Sequence, residues 1–189
     1  KSAHLLVCRQ LQLAAGQAYG VYAKGYALDI RDEARVKAIF ADIDRNDCFV
    51  ETVCLNSADM GFGTDPVKGM PFFEVSVEEF QRVFETNLVW NFMIVRQAAL
   101  RMKEHHKGAI VFISSNTAYR AIPNRSAYCA SKGGINAMTR ALAKELAPSS
   151  IQVNAIACGA IDTEMNQFLK EEERNALLEE IPAGRMGRA

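Results

Sequence analysis

Short runs of apolar residues punctuate the chain at regular intervals and predict buried strands. The runs that carry this pattern occupy residues 4–8, 23–28, 50–55, 109–114 and 152–157. The fourth run, which follows Gly108 and ends at Ser114 and Ser115, is continuously apolar, as is typical of a central parallel strand. Each run is bounded by polar or helical sequence, so the pattern predicts five separate strands.

The segments between these runs show the 3.6-residue periodicity of helices. Between Asp32 and Asn46, the apolar residues Val36, Ile39, Phe40 and Ile43 fall on one helix face. Ser76 and Glu79 form a capping box at the start of a long helix that runs towards His105. Further helices are predicted from about Ser126 to before Pro148, and over residues 164–181.

Strands that alternate with helices, without the turn sequences typical of hairpins, predict an α/β fold. The expected architecture is a Rossmann-type, doubly wound parallel sheet with helices on both faces. The length of 189 residues, 49% of them hydrophobic, fits a single domain over residues 1–189. In such sheets, ligands bind beyond the carboxyl ends of the strands, so the residues that follow each strand are the candidates for function.

Composition narrows the possible partners. Lys+Arg and Asp+Glu are equal at 22 each, which predicts no nucleic-acid partner. No apolar run approaches the roughly 20 residues that span a bilayer, so no membrane association is expected. Five cysteines without a C-x-x-C pair, and three histidines without a ligand-spaced partner, predict no disulfide framework and no metal site. Reduced thiols of this kind are typical of a cytoplasmic protein.

Three residues around the predicted central strand suggest acid–base chemistry. Ser115 ends that strand, and Tyr128 and Lys132 are spaced i, i+4, so they share one face of the next helix. A phenol with a pKa of about 10 is a poor acid–base catalyst at neutral pH, and a nearby ammonium group stabilises its phenolate form. A serine hydroxyl can hold a substrate oxygen against the phenol. A tyrosine buried for packing, beside an unrelated lysine, is the alternative.

Ser115, Tyr128 and Lys132 resemble the catalytic serine and Tyr-x-x-x-Lys signature of the short-chain dehydrogenase/reductase family, and the resemblance extends along the whole chain. It implies an NAD(P)-dependent oxidoreductase that interconverts a ketone and a secondary alcohol by hydride transfer, with the tyrosine as acid or base. Asn87, in TNLVWNF, is similar to the asparagine that completes the proton relay of that family by holding a water linked to the lysine.

The same resemblance assigns cofactor-binding residues, with Tyr128 and Lys132 among them. Asn56 and Ala58 lie in a segment similar to the Asn-Asn-Ala-Gly element, and Asp29 with Ile30 resembles the adenine-contacting position. Ile161 would meet the carboxamide of the nicotinamide, and Thr163 the phosphates. Arg9 follows the first predicted strand, where an arginine accommodates the 2′-phosphate, so NADP is expected in preference to NAD.

The chain also departs from the family pattern. The Thr-Gly-x-x-x-Gly-x-Gly loop is absent, and the sequence ends at GRMGRA, so we expect a domain that is incomplete at both ends. Asp59 replaces the glycine of the Asn-Asn-Ala-Gly element, Trp90 replaces a helix glycine, and Cys158 replaces a proline. A degenerate protein that binds no cofactor is the alternative.

The resemblance to the family also implies a class of substrate and an oligomeric state. Residues 159–187 resemble 3-oxoacyl-[acyl-carrier-protein] reductases, which implies a small-molecule or acyl-thioester carbonyl substrate. Residues 61–124 are more similar to sugar and polyol dehydrogenases, and a non-catalytic binding protein on the same fold is a further alternative. The helix after Ser76 and the helix that carries Tyr128 match the pairing surfaces of the family, so a homodimer or homotetramer is expected.

Overall fold

A computed structural model describes residues 20, 23–29, 31–46, 48–61, 69–163, 166 and 169–188. These residues fall into two units, one ending at Cys48 and the other beginning at Phe49. The predicted strand at residues 4–8 lies outside the described residues. Within them, no helix is long and apolar enough to cross a membrane.

The first unit contains helix α1 (Glu33–Arg45), as the apolar periodicity predicts. The Asp32 side chain caps it by accepting a hydrogen bond from Arg35 N at 2.9 Å, and Val36 and Phe40 are buried. The prediction of a strand at residues 23–28 is wrong, because these residues pair with no strand in the described part of the unit. Their polar side chains bind α1 instead: Tyr26 donates to Asp42 at 2.6 Å, and Lys24 forms an ion pair with the same carboxylate.

The second unit is built on a parallel sheet of three strands in the order β1 (Thr52–Leu55), β2 (Gly108–Ser115), β3 (Ile151–Cys158). All three match predicted runs. Ile110 and Phe112 point to one face and are completely buried there. Because side chains alternate along a strand, Ser114 points to this face as well.

Between β1 and β3, the described chain forms three α-helices, the first two joined by a π-helical turn. The predicted helix after Ser76 consists of α2 (Val77–Phe84), a π-helical turn (Glu85–Val89) and α3 (Trp90–Glu104). The Ser76 hydroxyl accepts from Glu79 N at 3.1 Å, so the serine half of the predicted capping box is confirmed. The Glu79 carboxylate accepts from Arg82 instead of completing the box. Helix α4 (Ser126–Leu146) ends before Pro148, as predicted, and packs against β2 and β3.

The region after β3 differs from the prediction. Two short parallel strands, β4 (Ile161–Asp162) and β5 (Gly187–Arg188), pair with each other, and periodicity does not reveal strands of two residues. Helix α5 (Glu171–Glu180) begins later than the predicted residue 164. Lys170 is extended, and its N–H donates to the Glu173 side chain at 2.9 Å, which fixes the start of the helix.

Candidate active site

The carboxyl ends of the three parallel strands lie along one edge of the sheet. Asn56 follows β1, Ser115 ends β2, and Cys158 pairs in register with Ser115 at the end of β3. This is the edge at which parallel α/β sheets bind ligands. The side chains of Asn56 and Ala58 are exposed there, whereas Ser115 is only 7% exposed.

Ser115 and Tyr128 lie next to each other in a buried position. The Ser115 side chain lies close enough to Tyr128 to influence its phenol. The Ser115 Oγ accepts a hydrogen bond from the Thr117 hydroxyl at 2.9 Å and one from Thr117 N at 3.2 Å. Tyr128 is 8% exposed. The structure therefore brings together the first two residues of the proposed catalytic set.

Lys132 joins them from the same face of α4. Its Nζ lies 5.6 Å from the centroid of the Tyr128 ring and donates to the Ile113 main-chain oxygen at 2.6 Å. The residue is 2% exposed, so its ammonium group is largely removed from solvent. Since an ammonium group carries three N–H donors, the contact with Ile113 leaves donors for other partners at this edge.

Burial shifts the protonation equilibria of both titratable groups. It raises the pKa of Tyr128 above its usual value, although the neighbouring Ser115 side chain acts in the opposite direction. Burial also lowers the pKa of Lys132. The chain's own groups therefore keep the proton on Tyr128 at neutral pH, which suits a residue that donates a proton to a substrate oxygen.

Asn87 is held in the middle of the π-helical turn and is completely buried. Its Oδ1 accepts from Asp59 N at 2.6 Å, and its Nδ2 donates to Asp59 O at 2.7 Å and to Ser131 Oγ at 2.9 Å. The Asn87 main-chain oxygen accepts from Asn91 Nδ2 at 2.7 Å. Both amide hydrogens of the side chain are therefore used within the protein, and the role in holding a relay water stays a prediction.

The residues assigned to the cofactor occupy different regions. Ile161 lies in β4, and Thr163 follows it; the Ile161 oxygen accepts from the Asn166 side chain at 2.6 Å. Asp29 belongs to the first unit, where hydrogen bonds from the Arg31 side chain and main chain lower its pKa to about 2. Arg9 and Ile30 lie outside the described residues. These assignments stay predictions.

Sequence reasoning missed several buried polar residues around the site. Ser131 is completely buried, and Ser114 donates to Asn136 Oδ1 at 2.7 Å, tying β2 to α4. Asp59 was identified only as a departure from the family. Its side chain accepts from Gly61 N at 2.9 Å and pairs with Arg82, so the turn accommodates it. Periodicity separates apolar from polar positions and gives no signal for buried polar pairs. Among the described residues, no group of three or more His, Cys, Asp or Glu side chains could hold a metal ion.

Comparisons with known proteins show which family this chain resembles. Residues 7–174 match the family model described as short chain dehydrogenase. The 3-oxoacyl-[acyl-carrier-protein] reductase of Aquifex aeolicus is 31% identical over 169 residues, which cover 89% of this chain and 65% of that protein. That of Rickettsia felis is 39% identical over 110 residues, covering 58% of this chain and 46% of that protein. The chain thus spans about half to two thirds of the length of these relatives.

Solved structures give the same result. An Agrobacterium tumefaciens protein assigned as a gluconate dehydrogenase superposes with a TM-score of 0.86 and 34% identity, over 95% of this chain and 69% of the other. A xylitol dehydrogenase bound to NAD⁺ superposes with a TM-score of 0.85 over 96% of this chain and 73% of the other. Its 23% identity supports the fold alone. The predicted fold class, a Rossmann-type parallel sheet wrapped by helices, is confirmed.

Proposed function

Because the chain belongs to the short-chain dehydrogenase family, we propose that the full-length protein is an NAD(P)-dependent oxidoreductase that interconverts a ketone and a secondary alcohol. The observation that carries this proposal is the buried set of Ser115, Tyr128 and Lys132, with the lysine Nζ 5.6 Å from the centroid of the tyrosine ring. A non-catalytic binding protein has no need for an acid–base tyrosine in this setting, so the set favours an enzyme.

The chain's own residues account for the proton half of the reaction. Ser115 holds the substrate oxygen beside the Tyr128 hydroxyl, and Tyr128 donates its proton to that oxygen during reduction. Burial raises the pKa of the Tyr128 phenol, so the hydroxyl stays protonated before the substrate reacts. The ammonium group of Lys132 stabilises the phenolate that remains after the transfer.

A nicotinamide cofactor supplies the hydride when it is bound. The residues at the carboxyl edge of the sheet fit this group: Asn56 and Ala58 are exposed there, and Lys132 has N–H donors beyond its bond to Ile113 that suit ribose hydroxyls. Ile161 and Thr163 would meet the carboxamide and the phosphates. Arg9, Asp29 and Ile30 are proposed on the sequence alone, with NADP preferred over NAD.

For the substrate we favour a 3-oxoacyl thioester. The support is the similarity of the chain to 3-oxoacyl-[acyl-carrier-protein] reductases, at 31% identity over 89% of its length for the Aquifex aeolicus protein. A sugar or polyol substrate is the second candidate, because the structure assigned as a gluconate dehydrogenase is 34% identical and covers 95% of the chain.

We further propose that two copies pair through α3 and α4 into a homodimer, which two-fold symmetry can extend to a homotetramer. A groove between these helices is lined by apolar side chains that include Phe92, Val95, Leu100, Leu142 and Leu146. Phe92 is 49% exposed and Leu100 53% exposed, so a second copy would cover apolar surface that water contacts in one chain.

A cofactor-oxidation assay of the full-length protein tests the function. NADH and NADPH are each supplied with a 3-oxoacyl thioester or with an oxidised sugar or polyol, and nicotinamide absorbance is followed. We expect turnover with the thioesters that is removed in Tyr128→Phe. Turnover with sugars alone would select the second candidate. Cofactor binding without turnover on any carbonyl would support the binding protein and contradict the proposal.

A further inference from the structure

We propose that Ser131 is a positioning residue for the reaction, acting on Tyr128 through the main chain of α4. The inference rests on the proposed function of Tyr128. Ser131 is completely buried, its Oγ accepts a hydrogen bond from Asn87 Nδ2 at 2.9 Å, and its hydroxyl donates to the Tyr128 main-chain oxygen at 2.8 Å. One hydroxyl group therefore touches both the π-helical turn and the residue that carries the acid.

The network around Ser131 joins three parts of the second unit. Asn87 binds both the N–H and the oxygen of Asp59, which lies in the segment after β1. Its remaining amide hydrogen goes to Ser131, on the first two turns of α4. The strand-end segment, the π-helical turn and the start of α4 are thus linked by a continuous chain of hydrogen bonds that ends at the Tyr128 carbonyl.

This linkage sets where the tyrosine hydroxyl lies. The start of α4 is tied separately to β2: Lys132 Nζ donates to Ile113 O at 2.6 Å, and Ser114 bonds to Asn136 one turn later. Removing the Ser131 hydroxyl leaves an Asn87 N–H without a partner in a buried site, and the first turn of α4 can then shift to relieve it. A displacement of the catalytic group by an ångström is enough to lower the rate greatly.

Thr139 provides a matched control on the same helix. Its hydroxyl is also buried, at 9% exposure, and donates to the main-chain oxygen of Ile135 at 2.8 Å. Both residues make the same kind of bond back to the preceding turn, which bends helices slightly. Thr139 lies eight residues beyond Ser131, or roughly 12 Å along the helix axis. A general loss of helix stability should therefore affect both variants, whereas loss of positioning should affect only one.

The experiment compares Ser131→Ala, Ser131→Thr and Thr139→Ala in the full-length protein. Steady-state kcat, the KM for cofactor and carbonyl, and the thermal midpoint are measured for each, with Tyr128→Phe as the reference for lost chemistry. For Ser131→Ala we expect kcat to fall by about tenfold or more, with both KM values within threefold. Ser131→Thr, which restores the hydroxyl, should recover kcat to within threefold of the unmodified enzyme, and Thr139→Ala should retain it.

Each other outcome contradicts the inference. A fall in the kcat of Ser131→Ala that is clearly smaller than about tenfold, or an equal loss in Thr139→Ala, would mean that Ser131 has no specific positioning role. The same holds if Ser131→Thr is as slow as Ser131→Ala. These results leave the proposed function intact as long as Tyr128→Phe is inactive. An unmodified protein without turnover, or an active Tyr128→Phe, overturns the function and the positioning role together.

Discussion

Replacing Asn87 by alanine should destabilise the protein by about 3 kcal/mol. The Asn87 side chain makes three hydrogen bonds, at 2.6, 2.7 and 2.9 Å, and is completely buried. A buried hydrogen bond contributes about 1 kcal/mol net, so the three together give about 3 kcal/mol. For a chain of this size, 1 kcal/mol lowers the thermal midpoint by about 2–4 °C, so we expect a fall of about 6–12 °C.

Asn91 is the natural comparison, because it lies four residues later and is also buried, at 3% exposure. Its Nδ2 makes one hydrogen bond, to Asn87 O at 2.7 Å, and its Oδ1 has no partner among the described residues. Asn91→Ala loses one bond but also removes an unsatisfied buried acceptor, which is itself destabilising. The two effects oppose each other, so the cost should be about 1 kcal/mol or less.

Urea denaturation at neutral pH measures the free energy of unfolding of both variants, and the thermal midpoint gives a second measure of their stability. Satisfied buried hydrogen bonds, and not the mere presence of an asparagine, are expected to stabilise the protein here. If Asn91→Ala costs as much as Asn87→Ala, or if Asn87→Ala costs less than about 1 kcal/mol, the bond count does not explain stability here.

Four further results are expected. Tyr128→Phe should reduce kcat to less than a tenth while the cofactor Kd, measured by fluorescence titration, stays within a few-fold; a larger residual kcat contradicts its role. Burial lowers the pKa of Lys132 in the folded protein, so the cost of burying its charge disappears as pH rises towards the unfolded value. The thermal midpoint of Lys132→Met relative to the unmodified protein should therefore be higher at pH 7 than at pH 10, and the opposite trend would contradict burial as the cause. Phe92→Glu combined with Leu100→Glu should halve the mass found by light scattering, whereas an unchanged mass excludes this groove as the interface. The unmodified enzyme should use NADPH with a kcat/KM about tenfold above that for NADH, or about 1.4 kcal/mol; Arg9→Ala should remove the difference, and equal use of NADH by the unmodified enzyme would show that Arg9 does not select the cofactor.

The sequence predicts the helices and strands of this fold where the pattern of apolar residues extends over enough positions to distinguish a helix from a strand. The sequence predicts the bounds of strand β2 to within one residue, because its apolar run is continuous. It predicts the end of helix α4 equally well, because Pro148 prevents the helix from continuing. Residues 23–28 form no strand, since a short apolar run does not specify whether a partner strand lies beside it. Helix α5 begins later than the sequence predicts, because the extended backbone of Lys170 is not visible in the sequence pattern.

The candidate site likewise contains residues that the sequence predicts and contacts that it does not. Ser115, Tyr128 and Lys132 follow from a strand end and an i, i+4 spacing, and the structure brings these three side chains to one buried place. The contacts of Asn87 with Asp59 and Ser131 join residues 28 and 44 positions apart. Only the folded chain brings these residues together, so no local pattern could have revealed the connection.

The π-helical turn constrains the length of the chain as well as its residues. Such a turn contains one more residue than an α-helical turn. Each residue of an α-helix turns the chain by about 100°, so deleting one residue between Glu85 and Val89 would rotate α2 by that angle relative to α3. Val83, which is completely buried, would then leave the core, and Asn87 would lose its place between Asp59 and Ser131. Substitutions on the exposed side of this turn are tolerated far more readily than insertions or deletions within it.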